Sequence, residues 1–394
     1  MKKLNIAVLF GGRSLEHEIS VISALQLIKA MDSELYNIIP LYVALSGKWY
    51  TGDPLYEKSF YSRFNGEKEG LEEVLLLGDP NYRGVVKKKK FPELISVDVF
   101  FLAFHGMYGE TGAVQGLLEL ADHCYVGADV LGSALSMNKK VMKNFVKGLG
   151  IDVVESVPLY LREWDSNNFQ QLKEKVHHLG YPLFVKPNFL GSSVGISKCK
   201  TPEDLGKSLA KVFKYDTVAL VEKSVEQLKE INVSVFRHPD SHQGVVSSVV
   251  EIPVSSGDEG LTYEDKYLRG GGKKSGEEES SGSGGMASLT RLIDPKDLDP
   301  NLRDKVKSLG EKIYREMDLS GAVRFDFMVD LQENNKLYFN ELNSIPGSFS
   351  YYLWEQGDCA LLYTELIDLL IQSALKRRKE SLRGKREFGF KALR

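Results

Sequence analysis

The chain has 394 residues, 42% apolar and 27% charged, with a formal net charge of −3. That length supports two or three domains, and the near balance of charge gives no electrostatic reason to expect nucleic acid or an anionic membrane surface as a partner. Three cysteines, Cys124, Cys199 and Cys359, are too scattered for a disulfide framework or a C-x-x-C metal site, which fits a reducing cytosol.

The opening MKKLNIAVLFGG has a basic start and an apolar run that stops at Gly11-Gly12 without a small-residue cleavage site. It reads as a buried strand over 5–10 rather than a leader. No stretch approaches the roughly 18 apolar residues of a membrane span. Ile19, Ile22, Leu25 and Ile28 then predict a helix over 18–31. Strand, glycine turn and helix open an α/β unit. The glycines lack G-x-G-x-x-G spacing, so no dinucleotide site follows, but the carboxyl end of the strand is the default ligand position. A strand is expected at 38–45. The stretch 50–78 is polar and reads as loop, and Lys87 to Lys90 reads as a solvated turn. A strongly apolar strand at 97–104 runs into His105-Gly106-Met107-Tyr108-Gly109-Glu110, with a helix at 113–121.

A second unit begins with a helix over 139–148 and a strand over 153–159. Lys139 stands at that helix start, where a positive charge opposes the dipole, a mild pointer to a nearby phosphate. A strand over 181–185 ends in Lys186-Pro187, followed by Gly191-Ser192-Ser193-Val194-Gly195. Such a turn exposes backbone N–H groups that can cradle phosphate oxygens, and Lys186 adds a point charge. The Walker A order is absent. A strand over 218–221 leads to Glu222-Lys223-Ser224-Val225, and another begins at Glu230. Residues 270–285 hold seven Gly, four Ser, three Glu and two Lys with no apolar side chain. They can bury nothing and read as a lid, within a mobile stretch over 256–287.

After a helix over 301–317 come two strand-like runs, 322–329 and 336–339, with a polar turn between them. Arg324 and Asp326 are two apart, as are Glu341 and Asn343, so a hairpin would converge one Arg, two carboxylates and an amide on one surface. Hard oxygen donors beside a cation suit Mg²⁺ shared with phosphates and argue against zinc. An aromatic-rich segment follows to Trp354, then a helix over 360–374 and a basic tail, 376–394, expected to be frayed.

The R-x-D-F and N-E-x-N-x-x-P-G pattern resembles the metal and phosphate hairpin of ATP-grasp ligases and is most similar to the D-alanine–D-alanine ligase branch. The H-G-x-Y-G-E-x-G-x-x-Q-G-L-L-E run agrees, and the resemblance covers residues 4–375 with motifs in the same order. It implies an α/β fold of ATP-grasp architecture: an N-terminal parallel-sheet α/β domain at 1–135, a central ATP-grasp lobe at 136–229 and a C-terminal lobe at 230–394, the two lobes being α+β. It implies that two D-alanine molecules are joined through an acyl phosphate, with ATP as co-substrate, for peptidoglycan precursors. Mg²⁺ or Mn²⁺, two ions, would be held by Asp326, Glu341 and Asn343, and the partners would be small molecules only, in a homodimer.

By the same resemblance Lys139, Lys186 and Lys266 face the phosphates. Glu222, Lys223 and the Val225 backbone meet adenine, and Glu230 meets ribose. Glu16 anchors the first substrate's ammonium and forms a hydrogen-bonded trio with Ser192 and Tyr267. His105 belongs to the site wall. Arg324 and the Gly347 N–H stabilise the tetrahedral oxyanion. The pattern breaks at Tyr352, where the family commonly has the Ser that holds the second substrate's carboxylate; Leu353 follows it, and Ser348 or Ser350 are substitutes. Two other readings stay open at this point: a ligase making another dipeptide or a depsipeptide, and a nucleotide-binding protein without turnover.

Overall fold

The computed structural model describes residues 2–64, 70–165, 168–240, 242–254, 291–357 and 360–384. The expected lid at 270–285 and the stretch 256–287 around it, with Lys266 and Tyr267, lie outside the described residues, as does Cys359.

The first unit runs β1 (Leu4–Gly11), α1 (His17–Ala30), β2 (Tyr36–Val43), β3 (Trp49–Thr51), α2 (Lys58–Tyr61), β4 (Glu72–Leu76), β5 (Gly84–Lys87), β6 (Glu93–Ser96), β7 (Val99–Leu102), α3 (Ala113–Leu120) and β8 (Tyr125–Val126). Its strands form one sheet in the order β6-β5-β4-β3-β2-β1-β7-β8. β1 pairs in parallel with β2 and β7, and β7 with β8. From Ile6 onward β1 is buried on both faces, as a parallel strand covered by helices is. Gly11 ends it with φ 87°, where a Cβ would lie 2.4 Å from the Val43 carbonyl oxygen, so only glycine makes this turn into α1.

The sheet is only half parallel. β3 to β6 extend the β2 edge as an antiparallel meander, so the polar stretch 50–78 is not all loop. Few of its residues face the core, and the outer strands are laced by charge: Lys87 reaches Glu72 at 3.0 Å and Glu93 at 2.9 Å, and Lys88 reaches Glu73 at 2.6 Å. An edge meander with a wet face carries too few apolar residues to stand out in sequence.

The second unit is α4 (Val130–Met137), α5 (Lys139–Gly148), β9 (Ser156–Tyr160), α6 (Phe169–His177), β10 (Leu183–Pro187), β11 (Ser197–Cys199), α7 (Asp204–Val212) and β12 (Val218–Lys223). Its antiparallel sheet has the order β11-β10-β12-β9 and a small core of its own around Leu172, Leu183, Leu205 and Val221. The third is β13 (Leu228–Arg237), β14 (Val245–Pro253), β15 (Arg291–Ile293), α8 (Pro300–Glu316), β16 (Val323–Asp330) and β17 (Lys336–Asn343), antiparallel in the order β15-β14-β13-β16-β17. One face of that sheet packs Val233, Val235, Phe325 and Phe327 into a core with Ile313 and Tyr314 of α8. The other face is the polar one.

The last helix, α9 (Tyr363–Ser381), outruns the helix expected to stop at 374. Tyr363, Leu366, Ile367, Leu370 and Ile371 pack into the core of the first sheet rather than the third. The start of the basic tail is correspondingly fixed. Lys376 donates to the Pro239 carbonyl at 3.0 Å, Arg377 to the Tyr125 carbonyl at 3.0 Å, and Arg378 pairs with Asp122 at 2.6 Å. Basic residues that donate to carbonyls look the same in sequence as basic residues in water.

Candidate active site

The polar face of the third sheet carries the site by register. Asn232 pairs with Glu251 on β14 and with Asp326 on β16, and Asp326 pairs with Glu341 on β17. Glu251, Asn232, Asp326 and Glu341 therefore form a row across four strands, with Arg324 opposite Asn343 in the next row. Side-chain alternation alone would not give this. On β17 Leu337 and Phe339 face the core, so Glu341 should face it too. The register shifts between the Asp326 and Phe327 pairs, leaving Asn340 as an extra residue. That bulge turns Glu341 and Asn343 to the site and returns Leu342 to the core.

Arg324 grips Asp326 with both arms of its guanidinium, Nε to Oδ1 at 2.6 Å and Nη2 to Oδ2 at 2.7 Å, and Asn343 donates to Oδ2 at 3.0 Å. Burial works against the Arg324 charge, yet the Asp326 carboxylate holds its pKa well above the usual value. Among the described residues no three His, Cys, Asp or Glu side chains gather into a closed metal cage. Two carboxylates and one amide beside an open cleft are the donor set expected of a hard cation that completes its shell with phosphate oxygens and water. Asp326, Glu341 and Asn343 fit that description.

Two lysines approach the same row from the second unit. The side chain of Asn138 caps α5 by accepting from the Val141 N–H at 3.1 Å, and Asn188 beyond β10 receives the Lys139 and Lys140 N–H groups at 3.1 and 2.8 Å. The cap fixes Lys139, whose ammonium donates to the Leu190 carbonyl at 2.6 Å and stands 3.4 Å from Glu341. Lys186 on β10 lies 2.6 Å from Glu222 and 3.4 Å from Asn340. Glu222 is also 2.5 Å from Lys143. Burial pushes the Glu222 carboxyl up, and the two ammonium groups more than offset it, holding it ionised. Lys223 ends β12, and Val225 sits in the short connector to β13. Glu230 lies on the polar face of β13, two residues from Asn232.

The first unit closes the cleft. Ser192, in the turn after β10, donates a hydrogen bond to Glu16 at the start of α1. Gly106 packs so close to that carboxylate that a Cβ would lie 2.5 Å from it. His105 Nε2 shares a 2.7 Å hydrogen bond with Ser23. Burial pushes its imidazole down to about 4, so it is neutral and a wall residue. Glu110 accepts from the N–H groups of Gly106 at 2.7 Å and Ile345 at 3.1 Å and from the Ser344 hydroxyl at 3.2 Å. It ties the first unit to the loop after β17, and burial together with neighbouring Glu16 pushes its carboxyl up to about 8.

The result is a cleft whose walls include Glu16, His105, Glu110, Lys139, Ser192, Arg324, Glu341, Asn343 and Gly347. Ser348, Ser350, Tyr352 and Leu353 are not in that wall. Three successive non-glycine residues, Ser348, Phe349 and Ser350, take positive φ near 50°, a strained arrangement. Phe349 is anchored in the first core against Phe101, and Ser348 donates to Gln26. The Tyr352 hydroxyl donates to Glu251 at 3.3 Å, with the Arg291 guanidinium 4.0 Å above its ring and 2.8 Å from Glu251.

A family model described as "D-ala D-ala ligase N-terminus" matches residues 5–128, and one described as "D-ala D-ala ligase C-terminus" matches residues 145–372. The chain belongs to the D-alanine–D-alanine ligase family. It is 36% identical to the D-alanine–D-alanine ligase of Caldicellulosiruptor bescii, over 98% of this chain and 100% of the relative, and 34% identical to that of Natranaerobius thermophilus, over 98% and 99%. The solved D-alanine–D-alanine ligase of Coxiella burnetii is 27% identical, covering 97% of this chain and 98% of that one with a TM-score of 0.75. As a member of the D-alanine–D-alanine ligase family the chain is an ATP-dependent ligase with the mixed α/β architecture of its relatives. The family's need for a divalent cation agrees with the oxygen donors on β16 and β17. Among the described residues no helix is long and apolar enough to cross a membrane.

Sequence reasoning missed three charged residues of this D-alanine–D-alanine ligase family member. Glu110 lay inside a motif singled out for its histidine, Lys143 inside an amphipathic helix, and Glu251 in an apolar strand. Only the fold brings their partners to them.

Proposed function

We propose that this chain joins two D-alanine molecules into D-alanyl-D-alanine, using ATP and Mg²⁺ or Mn²⁺, as a step toward peptidoglycan precursors. The observation that carries this reading is the convergence, in one cleft, of the Arg324–Asp326–Glu341–Asn343 rows, Lys139 and the Glu16–Ser192 pair.

The first carboxylate attacks the γ-phosphorus. A carboxylate O–P bond forms, the bond to ADP breaks, and the product is D-alanyl phosphate. The second amine then attacks the acyl carbonyl, and inorganic phosphate leaves with the oxygen that bridged carbon to phosphorus. Glu16 holds the first substrate's ammonium, and the Ser192 hydroxyl donates to the Glu16 carboxylate. Lys139 and Lys186, with Lys266, offset phosphate charge; Glu222, Lys223 and Val225 hold adenine, and Glu230 the ribose. Asp326, Glu341 and Asn343 would hold two divalent ions, which neutralise phosphate charge when bound. Arg324 and the Gly347 N–H stabilise the oxyanion of the second step. A cytosolic location and a homodimer belong to the same proposal through the family likeness.

The test is to supply D-alanine, ATP and Mg²⁺ and follow phosphate release with mass detection of the product. D-Alanyl-D-alanine is expected. If D-alanine alone gives no dipeptide while a mixed amino-acid pool gives another product, the second-substrate assignment fails. Counting along the chain from Gly347 assigns Tyr352 to the second substrate's carboxylate, so Tyr352→Phe should raise the KM of the second D-alanine about fivefold or more with little change in the first. Equal shifts in both would remove Tyr352 from the second subsite.

A further inference from the structure

Lys143 is the buried charge that the proposed reaction does not use. It lies one turn beyond Lys139 on the same face of α5, but Lys139 reaches the cleft and Lys143 does not. It is 2% exposed, and its ammonium stands 2.5 Å from one oxygen of Glu222, itself 3% exposed, while Lys186 stands 2.6 Å from the other oxygen. α5, β10 and β12 thus enclose two cations and one anion.

The two lysines differ in what they can reach. Lys186 also touches Asn340 at 3.4 Å, in the bulge beside Glu341, so it borders the oxygen-donor row. For Lys186 to turn to a phosphate, its bond to Glu222 must loosen. Glu222 would then be a buried, uncompensated carboxylate, an unfavourable state, unless another cation stays with it. Lys143 is that cation. A carboxylate fixed and ionised is also an acceptor only. It suits the exocyclic amine of adenine and repels the carbonyl oxygen that guanine carries at the same place.

We propose that Lys143 is a positioning residue of the nucleotide pocket. It is the resident countercharge that keeps Glu222 aimed at the base and leaves Lys186 to the phosphates. The proposal rests on the reading of Glu222 as the adenine acceptor.

The test is steady-state kinetics of the full chain carrying Lys143→Met, which keeps the aliphatic stem and leaves Glu222 its pair with Lys186. The KM for ATP should rise about tenfold or more while both D-alanine KM values stay within about twofold. The preference for ATP over GTP in kcat/KM should fall about fivefold or more. An unmoved ATP KM, or ATP and D-alanine KM values rising together, would overturn the proposal, the second because it marks a merely structural role. If the Met variant does not fold, Lys143→Gln, which keeps a donor toward Glu222, reads the same split. Glu222→Gln separates the two layers. If it leaves the ATP KM unmoved, the adenine reading of Glu222 is wrong and Lys143 falls with it. If it raises the ATP KM and Lys143→Met does not, only the Lys143 assignment is wrong.

Discussion

Glu341→Gln should lower turnover about a hundredfold or more, roughly 2.7 kcal/mol of lost transition-state stabilisation, while the protein stays folded. Glu341 is the residue the β17 bulge turns toward Asp326, and the substitution removes one of the two carboxylate charges from the oxygen-donor set. A neutral amide keeps one oxygen but lowers the attraction for a divalent ion, so the Mg²⁺ concentration needed for half-maximal rate should rise with the loss of turnover. Folding should be spared because the Gln amide keeps an oxygen that can accept from the buried Lys139 ammonium. Lys139 loses a 3.4 Å pair but keeps its 2.6 Å bond to the Leu190 carbonyl. Thermal unfolding and a Mg²⁺ titration of the rate, run side by side, check both halves. Turnover near wild type at ordinary Mg²⁺ would remove Glu341 from the metal site.

Arg324→Met should act on the second chemical step. Dipeptide formation should fall about a hundred- to a thousandfold, the usual cost of losing a charged oxyanion donor. Acyl phosphate should still form and be lost to water, so more than one ADP should be released for each dipeptide made. That ratio distinguishes the role from general damage, which matters because Arg324 is also structural. Its bidentate grip is the main restraint on Asp326, and removing one partner of a buried pair costs about 3–5 kcal/mol. Arg324→Lys keeps the charge and loses the fork, and should sit between wild type and Met in both stability and the ADP-to-dipeptide ratio. Strict one-to-one coupling in both variants, with a slower rate, would place Arg324 before the acyl phosphate rather than after it.

Much of this site is legible in sequence because it is built from local spacings. Arg324 and Asp326, like Glu341 and Asn343, are two apart, and two apart means one face of a strand. What cannot be read is how those faces combine. The expected second run stopped at Phe339, because β17 there changes from core-facing alternation to a bulge, and a bulge has no composition of its own. Glu251 and Arg291 come together with Tyr352 only through the sheet and the segment that follows it. The displacement of Ser348 toward Gln26 depends on Phe349 being anchored against Phe101, which precedes it by more than two hundred residues. The meander of β3 to β6 was hidden for the opposite reason: charge pairs, not apolar alternation, hold its outer strands.

The three units are not joined alike. Phe236, Ala322, Ile345, Phe349 and Trp354 belong to the same apolar core as the first sheet, and α9 seals that joint. The second sheet keeps its core to itself. Apart from α5, whose Met142 and Val146 pack into the third unit's core, it meets the rest through polar contacts such as Ser192 with Glu16 and Lys186 with Asn340. Opening an apolar joint exposes oil to water, whereas a polar contact can be replaced by water at small net cost. The molecule is therefore a frame of two welded parts and a door hung on a wet seam. That seam runs through Lys186, Glu222 and Ser192, so the nucleotide of the proposed reaction would lie along the line where the protein is least expensive to part.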